Sequence, residues 1–110
     1  MKEIALADFQ KLDLRVGRIL CAKNLEWSDK LIKLEVDFGQ LGKRQVLTGI
    51  AKWYKAEDLV GAQAIFVVNL PKKFVKNEAS EAMILTAEDE RDNFFLIIPE
   101  RKVAEGARVC

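Results

Sequence analysis

Residues 32–38 read Ile32-Lys-Leu-Glu-Val-Asp-Phe38, four apolar side chains alternating with three charged ones. A two-residue repeat belongs to an extended chain with one face buried and the other in water, so the stretch predicts a β-strand on the wall of a core. Gly39-Gln-Leu-Gly42 follows as a turn. Arg44-Gln-Val-Leu-Thr-Gly-Ile50 then returns as a third strand, paired with the second in a hairpin. Upstream, Leu14 and Val16 stand against Arg15, and the alternation slips near Gly17 before Ile19. A slip at a glycine predicts a bulge or sharp bend in a long first strand. Cys21 reads as a small buried apolar residue of that strand. Residues 23–29 read as a connecting loop. Residues 7–12 read as a short helical turn that plugs one end of the core through Phe9 and Leu12.

Downstream, residues 52–59 have helical composition and Gly61 fits a helix stop. Residues 64–68 and 83–87 are apolar enough for a fourth and a fifth strand. Between them residues 69–83 read as a long loop carrying Lys72, Lys73 and Lys76, with no acid before Glu78. Residues 88–92 read as a solvated charged turn, and Phe94-Phe-Leu-Ile-Ile98 as a closing strand ended by Pro99. The sum is an all-β fold. The OB-fold five-stranded barrel accounts for it most economically, with a short helix between strands three and four and short extensions at both ends, in one domain over residues 1–110.

The chain has 110 residues, half of them apolar and about a third charged, which is the profile of a folded globular domain. No apolar run approaches the ~18 residues of a membrane span, and the N-terminus has no signal-like apolar region, so the expected compartment is the cytoplasm. Cys21 and Cys110 are the only cysteines and histidine is absent, which leaves no zinc-ligand spacing, no redox pair and no Cys-His or Ser-His couple. Neither metal nor cofactor is expected. No phosphate-cradling glycine loop or credible nucleophile with its base can be written either, so the chain is read as no enzyme.

The net charge of +1 conceals a division along the chain. Residues 1–37 are neutral, residues 38–77 carry seven basic and two acidic side chains, and residues 78–110 carry four basic and eight acidic ones. Charges further apart than a Debye length of about 8 Å do not cancel each other, so the middle segment predicts a positive face. Lys43, Arg44, Lys52, Lys55, Lys72, Lys73 and Lys76 belong to it, with Lys33 from the second strand. Trp53 and Tyr54, beside Lys52 and Lys55, fit either base stacking or packing at the core rim.

Several motifs in order carry a family resemblance: Asp8-Phe-Gln-Lys-Leu-Asp-Leu-Arg-Val-Gly17, Asp29-Lys-Leu31, Val36-Asp37 before Gly39, Thr48-Gly-Ile50, Tyr54 with Glu57-Asp-Leu-Val-Gly61, Asn69-Leu70, and Ser80 to Met83. The chain resembles the tRNA-binding-domain family, which includes free-standing bacterial proteins, C-terminal extensions of methionyl-tRNA synthetases and the cytokine-like domain of animal synthetase complexes. The resemblance implies an OB barrel, a homodimer built through the N-terminal turn and the tail from Pro99, and a grip on the outside of tRNA by shape. A synthetase is a further implied partner, whereas DNA and membranes are not. It also implies that the lysines neutralise phosphates, that Asn69 and Ser80 hydrogen-bond backbone or base edges, and that Met83 packs at the rim. Asn69 fits equally well as a turn residue capping a strand end.

The chain departs from the family pattern at Asn69-Leu-Pro-Lys-Lys-Phe74, where the proline stands one place early and Phe74 replaces a basic residue. It departs also at Asn77 and Ala82, where the family has glycine, and at Ala56, where it has proline. Asn77 is expected to take the left-handed backbone of the missing glycine. Pro71 and Ser80-Glu81 resemble the export-associated chaperones of the same fold, so peptide binding through exposed Phe74 and Val75 is the alternative function.

Overall fold

The computed structural model describes residues 1–110 as a nearly closed antiparallel barrel organised around one strand, β1 (Leu14–Asn24). Its first half pairs with β4 (Gln63–Val67), in the register Leu14 to Val67, and its second half with β2 (Ile32–Asp37), in the register Asn24 to Ile32. β3 (Lys43–Thr48) continues the sheet beyond β2 after a single 3-10 turn at Gly39–Leu41, and α2 (Ala56–Leu59) follows β3. The alternation at residues 32–38 is realised in full: Ile32, Leu34, Val36 and Phe38 are completely buried. Their core continues through Ile19, Val46, Leu59, Phe66 and Ile84, with Phe38 and Phe66 packed edge to face at 5.1 Å.

The long first strand does contain an irregularity, but at Leu20 and not at Gly17, because the register with β2 shifts between Ile19 and Cys21. The extra residue exchanges the two faces of the strand. Cys21 therefore lies opposite Glu35 and is exposed, contrary to the sequence expectation, while Ala22 turns toward the core. Gly17 has a different reason to be glycine. A Cβ there would stand 2.5 Å from Val36 Cγ1 and 2.6 Å from Phe38 Cε1, which no packed side chain tolerates. The strand also runs on to Asn24, so Lys23 belongs to the sheet and not to a loop.

The helix expected over residues 52–59 is confined to α2, which buries Ala56 and Leu59 against the core before Gly61 turns the chain at φ 91°. α1 (Leu6–Phe9) is a single helical turn with no buried residue, and Phe9 and Leu12 remain exposed. The plug expected at the N-terminus is therefore absent.

The largest difference lies in residues 69–83, which are not a plain loop. They contain a hairpin of β5 (Lys73–Val75) and β6 (Glu78–Ser80), followed by β7 (Met83–Ile84), which pairs with β4. At its tip the left-handed residue is Lys76, at φ 54°, and not Asn77. β8 (Thr86–Glu88) and β9 (Phe94–Leu96) form a second hairpin, whose turn is fastened by Asp89 accepting from the N–H groups of Arg91 and Asn93. Those bonds, Asn93 first, hold the Asp89 carboxyl below its ordinary range. The fifth strand is thus split at Leu85, and the closing strand stops at Leu96.

β1 and β4 bury residues on both faces. Behind the barrel Leu14, Val16, Ile65 and Val67 form a second small cluster, covered by Leu85, Ala107 and Val109. The tail reaches it as β10 (Arg108–Val109), paired with Leu14 and Arg15. Gln63 clamps Val103 by two hydrogen bonds, and Arg18 Nε donates to Glu105 Oε1 at 2.5 Å. That bond, helped by the residue's own N–H, lowers the Glu105 pKa.

Candidate nucleic-acid interface

The barrel closes at β3 by side chains, and this sets the geometry of the basic face. Gln45 N–H donates to Glu81 Oε1 at 3.0 Å, Leu47 N–H to Ser80 Oγ at 3.0 Å, and Glu81 N–H to the Gln45 carbonyl at 2.8 Å. One carboxylate, one hydroxyl and one backbone N–H therefore supply much of what a neighbouring strand would supply. The Gln45 amide donates to Glu78 and to the Ala79 carbonyl, while Glu78 also accepts from Lys33 Nζ at 3.2 Å. These bonds hold the β5–β6 hairpin along β3. Its tip is held by Lys76, whose ammonium lies 4.6 Å from the centre of the Trp27 ring.

Some of the expected binding residues turn out to be engaged within the fold. Asn69 accepts from Asp13 N–H at 2.8 Å and donates to the Lys11 carbonyl at 2.6 Å, tying the N-terminal segment to the end of β4. Ser80 accepts from Leu47 and donates to Ala82. Arg44 donates to the carbonyls of Val68 and Glu81. Tyr54 accepts through its hydroxyl from Leu96 N–H, and Trp53 packs on Phe94 at 4.7 Å while donating to Asn93. Of the two readings open for this aromatic pair, rim packing is the one the contacts fit.

The lysines are displayed differently. Lys43, Lys52, Lys55, Lys72, Lys73 and Lys76 are exposed, and Lys33 is half-buried. Lys72 does have an acid partner, since the chain folds back to place Glu81 at 3.5 Å, yet its side chain keeps 62% of its accessible surface. An ion pair so exposed is exchangeable for another anion at little cost.

Two separate concavities divide these residues. The first is an open basin of about 440 Å³ on the outer side of β1, β2 and β3, lined by Cys21, Lys23, Lys33, Lys43, Arg44 and Glu81 among others. Lys23 was missed in the sequence because the bulge at Leu20 hides its place in the sheet. It stands directly opposite Lys33 across β1 and β2, an arrangement of like charges that costs stability. Lys52 and Lys55 line a second dent with Trp53, Tyr54 and Asn24. Of the residues expected on one positive face, Lys33, Lys43 and Arg44 thus line the first, Lys52 and Lys55 the second, and Lys72, Lys73 and Lys76 neither. Met83 takes neither; it is exposed at the edge of a third, apolar groove beside the hairpin.

A barrel of five strands, nearly closed and OB-like, with a basic face along β2 and β3, defines a class of ligand-binding module. Residues 14–108 match the family described as putative tRNA binding domain. The chain belongs to that family. It is 44% identical over 108 residues to a methionine–tRNA ligase of Porphyromonas gingivalis and 46% identical over 110 residues to one of Archaeoglobus fulgidus. The alignments take in 98% and 99% of this chain but only 16% of either ligase. Among solved structures, a methionyl-tRNA-synthetase-related protein from Pyrococcus horikoshii superposes at a TM-score of 0.93 with 38% identity, covering both chains completely. The chaperone CsaA from Bacillus anthracis superposes at 0.91 with 35% identity, covering 99% of this chain and all of its own. No helix is long and apolar enough to cross a membrane.

Proposed function

We propose that this chain is a non-catalytic tRNA-binding module of the cytoplasm, acting as one domain and as a homodimer, that grips RNA phosphates on the outer face of β2 and β3. The observation that carries the reading is the Lys23–Lys33 pair. Two lysines at opposed positions of β1 and β2, with Lys43 and Arg44 beside them and only Lys33 paired to an acid, Glu78, leave an excess of positive charge that an anion bridging them compensates. Phosphates along an A-form RNA strand are such anions, and RNA helices are recognised mainly through shape and backbone. The kinship with methionine–tRNA ligases supports tRNA as the ligand and a synthetase as an associate. Exposed Ile98, Phe95 and Leu6, with no cover in the chain, support the dimer.

A second reading, peptide binding as in a chaperone, is favoured by the likeness to CsaA and by the apolar groove beside exposed Phe74. Equilibrium binding of several elongator tRNAs over a salt series separates the two. The tRNA reading expects log-linear loss of affinity with salt and affinities alike within about an order of magnitude across tRNAs. A flat salt response contradicts it.

A further inference from the structure

The apolar groove is separate from the Lys23–Lys33 basin, yet it opens onto the same face. Leu31, Leu47, Leu70, Pro71, Val75 and Met83 wall it, with a volume of about 330 Å³. That accommodates one planar ring system and excludes a duplex. Lys73 is the only charged residue of its lining, no carboxylate faces it, and Lys72 is next in the chain. The groove also has a polar handle. The outward N–H groups of β3 are taken in turn by Glu81 at Gln45 and by Ser80 at Leu47, but the next in the series, Gly49, donates to no protein group. The space over its α-carbon is open to 4 Å.

We propose that this groove holds one unpaired nucleobase of the bound RNA. The ring stacks against the side chains of Met83 and Leu47, a base acceptor takes the Gly49 N–H, and the nucleotide's phosphate meets Lys73. Charge complementarity selects this occupant over an apolar peptide side chain, which fills the walls but leaves Lys73 without an anion. The inference rests on the tRNA reading and adds to it a requirement that shape recognition lacks, namely a nucleotide outside the helix.

The test uses two RNA hairpins with equal numbers of phosphates, one blunt-ended and one with an unpaired 3′ stretch carrying 2-aminopurine. The tailed RNA should bind about tenfold tighter at the same salt, in line with stacking of one base, and the 2-aminopurine fluorescence should change on binding. Met83→Ala and Leu70→Ala, both at exposed positions, should each remove that advantage, and Leu70→Ala should leave blunt-hairpin affinity as it was. Equal affinity for both RNAs with unchanged fluorescence overturns the nucleobase pocket and leaves the phosphate reading standing. Absence of binding to either RNA overturns both. An apolar peptide whose binding is lost in Met83→Ala and is not displaced by the tailed RNA assigns the groove to peptides instead.

Discussion

The outer face of β2 and β3 and the back of β1 and β4 are opposite in chemistry although one strand, β1, contributes to both. In front, polar groups hold each other: Glu78 bridges Lys33 and Gln45, Glu81 meets Lys72 and the Gln45 N–H, and Lys23 faces Lys33. Behind, Leu14, Val16, Ile65 and Val67 are buried by the tail, and the Ile97 backbone is bonded to Ile65 and Leu85 so that exposed Ile97 and Ile98 leave the barrel beside them. A charged face with exchangeable internal partners suits a polyanion, and an uncovered apolar margin suits a second protein surface. The bulge at Leu20 contributes to this division, because it turns Cys21 and Lys23 outward in the second half of the strand.

The largest expected effect is at the back. Ile98→Asp, at a side chain 61% exposed, should convert a sedimenting dimer to monomer in reducing buffer while the fold is retained. Its tRNA affinity should fall about tenfold through lost avidity, with the salt slope per protomer kept. A wild-type monomer at micromolar concentration would contradict the assignment of the back to a second copy.

A smaller effect sharpens the front. Glu35 is exposed in the basin opposite Cys21 and forms no salt bridge, so Glu35→Gln removes a negative charge without removing a structural bond. Affinity for tRNA should rise about two- to threefold at low salt, and the gain should fade as salt screens it. Unchanged or weaker binding at low salt would place the phosphates elsewhere.

The smallest effect concerns the tail. The pKa of Glu105 is lowered below its ordinary 4.5 by the Arg18 hydrogen bond. A depressed carboxylate contributes stability above its unfolded pKa, and the contribution disappears as pH falls through the folded value. Glu105→Gln should therefore be slightly less stable than wild type in urea at neutral pH, with the difference closing as the pH falls below 4.5 and through the lowered folded value. A difference independent of pH would remove the ion pair from the account.

What the sequence disclosed and what it withheld follow from the range of the interactions. The strand at residues 32–38 was legible because its period is local, and the turn at residues 88–92 because its charges are. The bulge was displaced because Ile19, Leu20 and Cys21 are all apolar, so alternation says nothing about which of them is extra. The β5–β6 hairpin was hidden because its strands are three residues each and its anchors come from Lys33, Gln45 and Trp27, far away in the chain. Distance along the chain hid the roles of Asn69 and Arg44 as well, since Asn69 bonds Asp13, 56 residues away, and Arg44 bonds Val68, 24 residues away. Positive charge was legible as composition; the juxtaposition of Lys23 with Lys33 required the register of β1 and β2.

The most direct test of phosphate binding on the β2–β3 face is the slope of log affinity for tRNA against log salt in two variants. Lys23, Lys33 and Lys43 are replaced together by alanine in one, and Lys52 and Lys55 in the other. The first variant should bind all tRNAs at least about tenfold more weakly and lose about one unit of slope per phosphate contact removed, whereas the second should stay near wild type. An unchanged slope in the first variant, with the loss appearing in the second or in neither, would contradict the assignment of RNA to this face.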